Sequence, residues 1–284
     1  MRKGLGKKTA RLFLTYVCSV SCFVLLALGC IRITLVNPNF MSRQMEDPQY
    51  IKLVQQEINE KIQDIGRGSN VPADQLADIV PFKWVEKNIG KYVKNLYRKK
   101  NFSLEGQLEI KEKIHQRLNH YIQEKNIPID QSNPQVIDKI ADSSVIASKN
   151  LIEIPYLVNY VNKVLQFKPV LNRLLIGSSV VFILLFFLLL QTIDWTHRKF
   201  RFAAYVFLGT GATFLLFPTW LYFSGVIERI GILTESVYRF VRQYLVSFDL
   251  TFIYTGLISV GIASILYVFS ERKRAIVIYK GRGK

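Results

Sequence analysis

Cysteine is scarce in this sequence, with 3 residues of 284. All of them, Cys18, Cys22 and Cys30, lie in one apolar stretch near the beginning of the chain. The segment 37–170 has none, so a disulfide framework is excluded there and a folded domain in that segment depends on its own core. Many secreted eukaryotic domains carry disulfides, so a cysteine-free exported domain favours a bacterial exterior.

Charged side chains are absent from four long apolar runs. The runs are Leu12–Ile31, Leu174–Ile193, Phe202–Ile227 and Leu250–Phe269. A helix of about 20 residues crosses a hydrocarbon core about 30 Å thick, so each run is long enough to span a membrane. Transporters driven by protons or ions usually carry a charged residue within a span. The absence of such residues from the runs favours anchoring and helix packing as their role.

Acidic residues are also scarce beside these runs. The segments before the first run, between the second and third, and after the fourth hold 14 Lys and Arg residues but only Asp194 and Glu271 as acidic residues. The net charge of +17 would suit nucleic-acid binding, but the segment 37–170 is close to balance, with 19 basic and 16 acidic residues. Basic residues next to spans are retained in the cytoplasm. We therefore expect both termini to be cytoplasmic and a nucleic-acid partner to be excluded.

These features predict an all-α, four-pass helical membrane protein of the bacterial plasma membrane, with an all-helical extracytoplasmic domain between the first and second spans. The predicted order is a basic cytoplasmic N-terminus (1–11), TM1 (12–36), the extracytoplasmic helical domain (37–170), TM2 (171–193), a cytoplasmic loop (194–201), TM3 (202–225), an outer amphipathic connection (226–249), TM4 (250–270) and a basic cytoplasmic tail (271–284). TM1 is expected to be an uncleaved anchor. The alternative is lipoprotein processing at Cys30, which Leu28 and the apolar residues after Cys30 disfavour.

Helical periodicity indicates how the segment 37–170 folds. Asp47 followed by Pro48 is a typical helix start, because aspartate caps the first amides and proline fits the first turn. Apolar residues then recur at spacings of three and four, at Ile51, Val54, Ile58, Ile62 and Ile65. Sustained two-residue alternation, which indicates a strand, is not found in the segment. The pattern predicts a bundle of four or five helices.

Motifs that carry chemistry are missing from the sequence. There is no nucleophile elbow, P-loop or glycine-rich dinucleotide turn. His115 and His120 are five residues apart, so they do not share a helix face as a metal-binding pair would. We therefore predict a non-enzymatic protein with no catalytic, cofactor or metal site.

The densest basic cluster of the segment is interleaved with Tyr92 and Tyr97. It consists of Lys91, Lys94, Arg98, Lys99 and Lys100. Such a cluster can contact anionic lipid headgroups or an anionic wall polymer. The alternative is an ordinary solvated helix end, where positive charge is favoured by the helix dipole.

Small residues and an amphipathic stretch predict two further surfaces. Gly209 and Thr213 in TM3, and Gly256 and Gly261 in TM4, are candidates for close helix packing. The connection 226–249 places apolar residues on one side of a helix. It can lie in the outer membrane interface, or it can pack beneath the extracytoplasmic domain.

The order of spans and outer domain is similar to that of the FtsX-type subunit of cell-division ABC transporters, although the segment 37–170 lacks the strand pattern of that family's outer domain. We expect a non-enzymatic scaffold, accessory or regulatory component of a cell-envelope complex. Its expected partners are the lipid bilayer and either another membrane protein or a second copy of the chain. A transport or channel subunit that works with an ABC ATPase is the first alternative, and an enzyme acting on lipid or cell-wall precursors is the second.

Overall fold

The computed structural model describes residues 2–125, 134–229, 231 and 234–282. All regular secondary structure in these ranges is helical, which confirms the all-α prediction. The main helices are α1 (Arg2–Thr34), α2 (Pro38–Met45), α3 (Pro48–Arg67), α4 (Phe82–Tyr97), α5 (Gln107–Glu124), α6 (Pro134–Ile152), α7 (Pro155–Gln191), α8 (Thr196–Phe223) and α9 (Glu235–Arg282). Short 3-10 helices lie at Ala73–Leu76 and Ile227–Arg229.

Four helices are long and apolar enough to cross a membrane. The candidate spans are Thr9–Thr34, Tyr156–Gln191, Thr196–Arg229 and Glu235–Ile276. Lipid offers no hydrogen-bond partner to an exposed backbone, so an isolated apolar run must form a helix there. By the length and composition of these helices, the chain is a multi-pass helical membrane protein.

The chain divides into two compact units. The span unit comprises Met1–Val36, Phe167–Ile230 and Tyr244–Lys284. The helical domain comprises Asn37–Gln166 and Gly231–Gln243. The predicted outer connection, 226–249, is therefore divided between the units, and its middle part belongs to the helical domain.

The span unit has a small apolar core between α1, α7 and α8. The buried members are Cys18, Cys22, Leu189, Ile193 and Val206. Beside this core, the Thr210 hydroxyl of α8 lies 3.1 Å from the Ser19 carbonyl oxygen of α1 and 2.9 Å from the carbonyl oxygen of Val206, and it can donate to either. A polar contact of this kind adds to the apolar packing between the two helices.

Glycine lets α8 and α9 approach each other closely. Gly211 of α8 is buried, and a Cβ atom placed on it would lie 2.9 Å from the carbonyl oxygen of Gly256 and 2.7 Å from a methyl group of Val260. A backbone carbonyl cannot move aside as the end of a flexible side chain can. Because van der Waals packing holds helices together in lipid, this close approach contributes directly to the stability of the span unit.

The predicted apolar stripe of α3 forms part of the core of the helical domain. Its fully buried members are Ile51, Val54, Ile58 and Ile62. Helices α4 and α6 pack against α3, and α5 packs against α6. The predicted cap is confirmed: Asp47 Oδ1 accepts hydrogen bonds from the amides of Gln49 at 2.9 Å and Tyr50 at 3.2 Å. Burial of each aliphatic side chain stabilises the fold by about 1.5–3 kcal/mol.

Replacing Gly211 with alanine should lower the free energy of unfolding of the span unit by about 1–3 kcal/mol, because the added methyl group forces α8 and α9 apart. Gly261→Ala is the matched control, since a Cβ atom there meets open space. In that position alanine should raise stability by up to about 1 kcal/mol through helix propensity. Thermal unfolding of the full chain in detergent, followed by circular dichroism, measures the difference. Equal unfolding temperatures for the two variants would contradict the close approach.

Candidate functional site

The predicted basic cluster lies where α4 ends. Arg98 is the C-cap residue, and Lys99 follows it with a φ of 55°. The amides of Lys99 and Lys100 donate back to the carbonyl oxygens of Leu96 at 3.3 Å and Asn95 at 3.0 Å. This is a Schellman ending, in which the left-handed position is usually glycine. A residue with a side chain at that position costs about 1–2 kcal/mol of backbone energy.

Lys91, the first member of the cluster, pairs with a carboxylate of the domain itself. Its ammonium lies 2.9 Å from one oxygen of Glu105, and that of Lys87 lies 3.0 Å from the other. Hydrogen bonds from Lys91 and then Lys87 hold the pKa of Glu105 below its usual range. A lowered carboxyl pKa adds stability above the unfolded-state pKa, and this stability is lost as the pH falls through the folded-state pKa. The contribution is small because the group is exposed to water.

Two other lysines of the cluster line a small cavity of about 160 Å³. The lining includes Tyr92, Lys99, Lys100, Asn101, Glu153 and Asn162. Lys94 and Arg98 are exposed and lie outside this lining. The cluster is therefore three separate groups: a lysine paired with a carboxylate, two solvated cations and two cations at a cavity.

The cavity combines an aromatic surface with charges of both signs. The Tyr92 hydroxyl donates to the carbonyl oxygen of Ile154 at 2.9 Å, and the Tyr92 ring packs edge-on against Phe102 with centroids 5.3 Å apart. Burial, and after it the negative charge of Glu153, raises the pKa of Tyr92, so the phenol stays neutral at physiological pH. The carboxylate of Glu153 lies 3.6 Å from the ammonium of Lys149. The arrangement can bind a small polar ligand by charge and hydrogen bonding.

A second polar site joins the beginning of α9 to the rest of the helical domain. The carboxylate of Glu57, on α3, accepts a hydrogen bond from the Ser236 amide at 2.8 Å and another from the Ser236 hydroxyl at 2.5 Å. Ser236 is in the first turn of α9, where amides lack a partner within the helix. The helix dipole also favours a negative charge at this end. Glu57 therefore caps α9 from another helix.

Two further contacts hold the same segment of α9. The buried rings of Tyr50 and Phe240 pack with centroids 5.9 Å apart. The side-chain amide of Gln243 lies 3.5 Å from the carboxylate of Asp47. Of the two arrangements predicted for the connection 226–249, packing onto the helical domain is the one that the structure shows for residues 235–243.

The residues predicted for helix packing lie in two kinds of surroundings. A Cβ atom on Gly209 would lie 2.6 Å from the Ser19 hydroxyl, and one on Gly256 would lie 3.0 Å from side-chain atoms of α8. Both glycines therefore face a neighbouring helix of the span unit. Thr213 is exposed, with its hydroxyl donating to the Gly209 carbonyl oxygen at 2.9 Å, and a Cβ atom on Gly261 would meet open space. A packing role for Thr213 and Gly261 stays a prediction.

Sequence reasoning missed Asp249. The predicted TM4 begins at the next residue, whereas the candidate span Glu235–Ile276 includes this aspartate. Its side chain is buried, and its Oδ2 atom has no hydrogen-bond partner among the residues that the structure describes. An ionisable group within a span is costly and indicates a functional role. The signal available in the sequence was an acidic residue directly beside an otherwise charge-free run.

The histidines lie beside single carboxylates. His115 is 3.1 Å from Asp138, and His120 is 4.0 Å from Glu124. In the part of the chain that the structure describes, no three His, Cys, Asp or Glu side chains are close enough to hold a metal ion. The predicted lack of metal, cofactor and catalytic residues stays a prediction.

The chain thus presents three sites with polar chemistry. They are the cavity beside Lys99 and Lys100, the Glu57 cap on α9 and the buried carboxyl group of Asp249. Each is interpreted from its own geometry, because no protein-family model, curated protein or solved structure matches the chain.

Proposed function

We propose that this chain is a non-enzymatic scaffold, accessory or regulatory component of a bacterial cell-envelope complex. In this proposal the span unit lies in the plasma membrane and the helical domain lies outside the cell. The observation that carries it is the Glu57–Ser236 cap, which attaches the beginning of α9, and with it the beginning of the last candidate span, to the helical domain. A partner that binds the domain then acts on a segment continuous with the last candidate span.

The path of the chain supports this role. The chain passes between the helical domain and the span unit four times, after residues 36, 166, 230 and 243. An enzyme domain on a simple anchor needs a single tether. Repeated passes suit a domain that acts together with its spans.

Contacts between the basic segments support the proposed orientation. Arg11, before the first apolar run, lies 3.8 Å from Asp194 in the loop between α7 and α8. Arg201, at the beginning of α8, forms an ion pair with Glu271 of α9. These contacts bring the three basic segments to one end of the span unit. Since short positive segments are retained in the cytoplasm, we assign this end to the cytoplasmic side.

A cysteine introduced at Lys100 should react with a membrane-impermeant maleimide on intact cells, whereas one at Lys273 should react only after permeabilisation. Both positions are exposed, so shielding by the protein does not account for a lack of reaction. The unmodified chain is the control, because its own cysteines are buried. Reaction at position 273 but not at position 100 on intact cells would reverse the orientation.

Affinity capture of the tagged full chain from native membranes should recover at least one further envelope protein. Glu57→Ala should lower the free energy of unfolding by about 1 kcal/mol through loss of the cap. It should also reduce the recovery of the partner, because the connection is no longer held to the domain. Glu60→Ala, at an exposed position of the same helix, is the matched control. Recovery of a lone monomer from several detergents and from native nanodiscs would contradict the proposal.

Asp249 favours a second candidate function, a transport or channel subunit. A buried carboxyl group whose Oδ2 atom has no hydrogen-bond partner among the described residues is a group that a proton or cation can use in transit. The four apolar runs carry no charge, and Asp249 directly precedes the fourth, so this buried group is a natural place for ion chemistry beside the runs.

For this second function, vesicles reconstituted with the full chain should show proton or cation flux, measured with an ion-sensitive dye. Asp249→Asn should abolish the flux, because the amide keeps the size of the side chain but cannot carry the charge. Asp194→Asn, which changes an exposed aspartate of the α7–α8 loop, is the control. Lack of flux with the unmodified chain, or equal flux with Asp249→Asn, would rule this function out.

A further inference from the structure

The cavity at the end of α4 is lined by two lysines and one glutamate. Lys99 and Lys100 come from the segment that follows α4, whereas Glu153 comes from the connection between α6 and α7. Asn101 and Asn162 add amide groups that can donate or accept hydrogen bonds. A ligand in this cavity therefore meets opposite charges on different elements of the fold.

Lys99 has a left-handed backbone conformation, which is less favourable in free energy for lysine than for glycine. Among the described residues, the non-glycine residues with positive φ are Asn70, Asp78 and Lys99. Asparagine and aspartate adopt this conformation readily, but lysine does not. Glycine would end α4 with less strain. Strain of this kind is concentrated at binding sites, and Lys99 is one of the residues that line this cavity.

The size of the cavity limits the ligand. A cavity of about 160 Å³ suits a small polar group. A phosphate with a short amine-bearing chain is of this order. A nucleoside or a disaccharide is much larger.

We infer that this cavity binds a phosphate group carried beside an ammonium group, as in phosphoethanolamine. The two lysines bind the phosphate by charge-assisted hydrogen bonds. The ammonium of the ligand pairs with Glu153, which lines the cavity and lies 3.6 Å from Lys149. Glu153 would repel a bare phosphate dianion, so the lining favours a ligand with both charges.

Such a group has two sources, a phosphatidylethanolamine headgroup or a free phosphorylated amine. Asn162 lies on α7, in the first part of the second candidate span, Tyr156–Gln191. The lipid and the free molecule share the chemistry that the cavity recognises. The experiment therefore tests binding of both the lipid and the free phosphorylated amine.

Isothermal titration calorimetry of the full chain, in detergent free of aminophospholipid, measures binding of O-phosphoethanolamine, inorganic phosphate and ethanolamine. We expect O-phosphoethanolamine to bind more tightly than either of the others. Displacement of a fluorescent O-phosphoethanolamine derivative by nanodiscs that contain phosphatidylethanolamine, but not by phosphatidylcholine nanodiscs, assigns the site to lipid. Displacement by the soluble molecule alone assigns it to a free ligand.

Variants separate the two charges of the ligand. Lys100→Gln should weaken binding of O-phosphoethanolamine and of phosphate by about tenfold each. Glu153→Gln should weaken binding of O-phosphoethanolamine by about tenfold but leave phosphate binding unchanged or stronger. Lys94→Gln removes the same charge from an exposed position of α4 outside the lining, so it should leave both affinities unchanged.

The variant Lys99→Gly distinguishes loss of the binding site from loss of binding caused by unfolding. This variant should raise the unfolding temperature, because glycine relieves the left-handed backbone, and yet weaken O-phosphoethanolamine binding by about tenfold. Weaker binding in a more stable protein supports the site. Lack of binding to every probe, or an equal effect of Lys94→Gln and Lys100→Gln, would overturn the inference. A general electrostatic attraction would give that equal effect.

Discussion

The structure depends on one constraint: in lipid, each backbone amide and carbonyl must find its partner within the protein. Runs without charge satisfy it as helices, and the helices must then associate without a hydrophobic driving force. The span unit meets this requirement with close backbone approach and a few polar contacts. Gly211 brings α8 near the Gly256 carbonyl of α9, and Thr210 of α8 lies within hydrogen-bonding distance of the Ser19 backbone of α1. Apolar surface elsewhere on these helices is free to face lipid.

Local patterns were enough to predict the helices but not their tertiary partners. The stripe at Ile51, Val54 and Ile58 and the Asp47 cap depend on residues within a few positions of each other, so spacing reveals them. The Glu57–Ser236 contact joins residues 179 positions apart. An amphipathic helix has the same apolar spacing whether it faces a lipid interface or a protein surface. Spacing therefore left the place of the connection 226–249 open, and the contacts of residues 235–243 show that this part of it packs onto the helical domain.

The basic cluster shows the same limit on a smaller scale. The density of charge can be read directly from the sequence, which has five basic residues within ten positions. The sequence does not show which of these basic residues forms an ion pair with a carboxylate that is distant in the chain. Glu105, beyond the end of α4, forms an ion pair with Lys91. After the turn at Lys99, Lys99 and Lys100 line the same cavity as Glu153. The signal that could have separated the members is the change from helix to Schellman ending after Tyr97, but no glycine marks that ending here.

Two of the polar contacts in the helical domain lie at helix ends for a physical reason. Each end leaves backbone amides or carbonyls without partners, and side chains from other elements are drawn there to satisfy them. Glu57 at the beginning of α9 and the Lys99 turn after α4 are both consequences. Asp249 is different, because it lies within a long helix whose backbone groups have partners of their own. Its buried carboxyl group does not cap a helix end. The two proposed functions, scaffold and transport subunit, therefore differ most in the role that they give to Asp249.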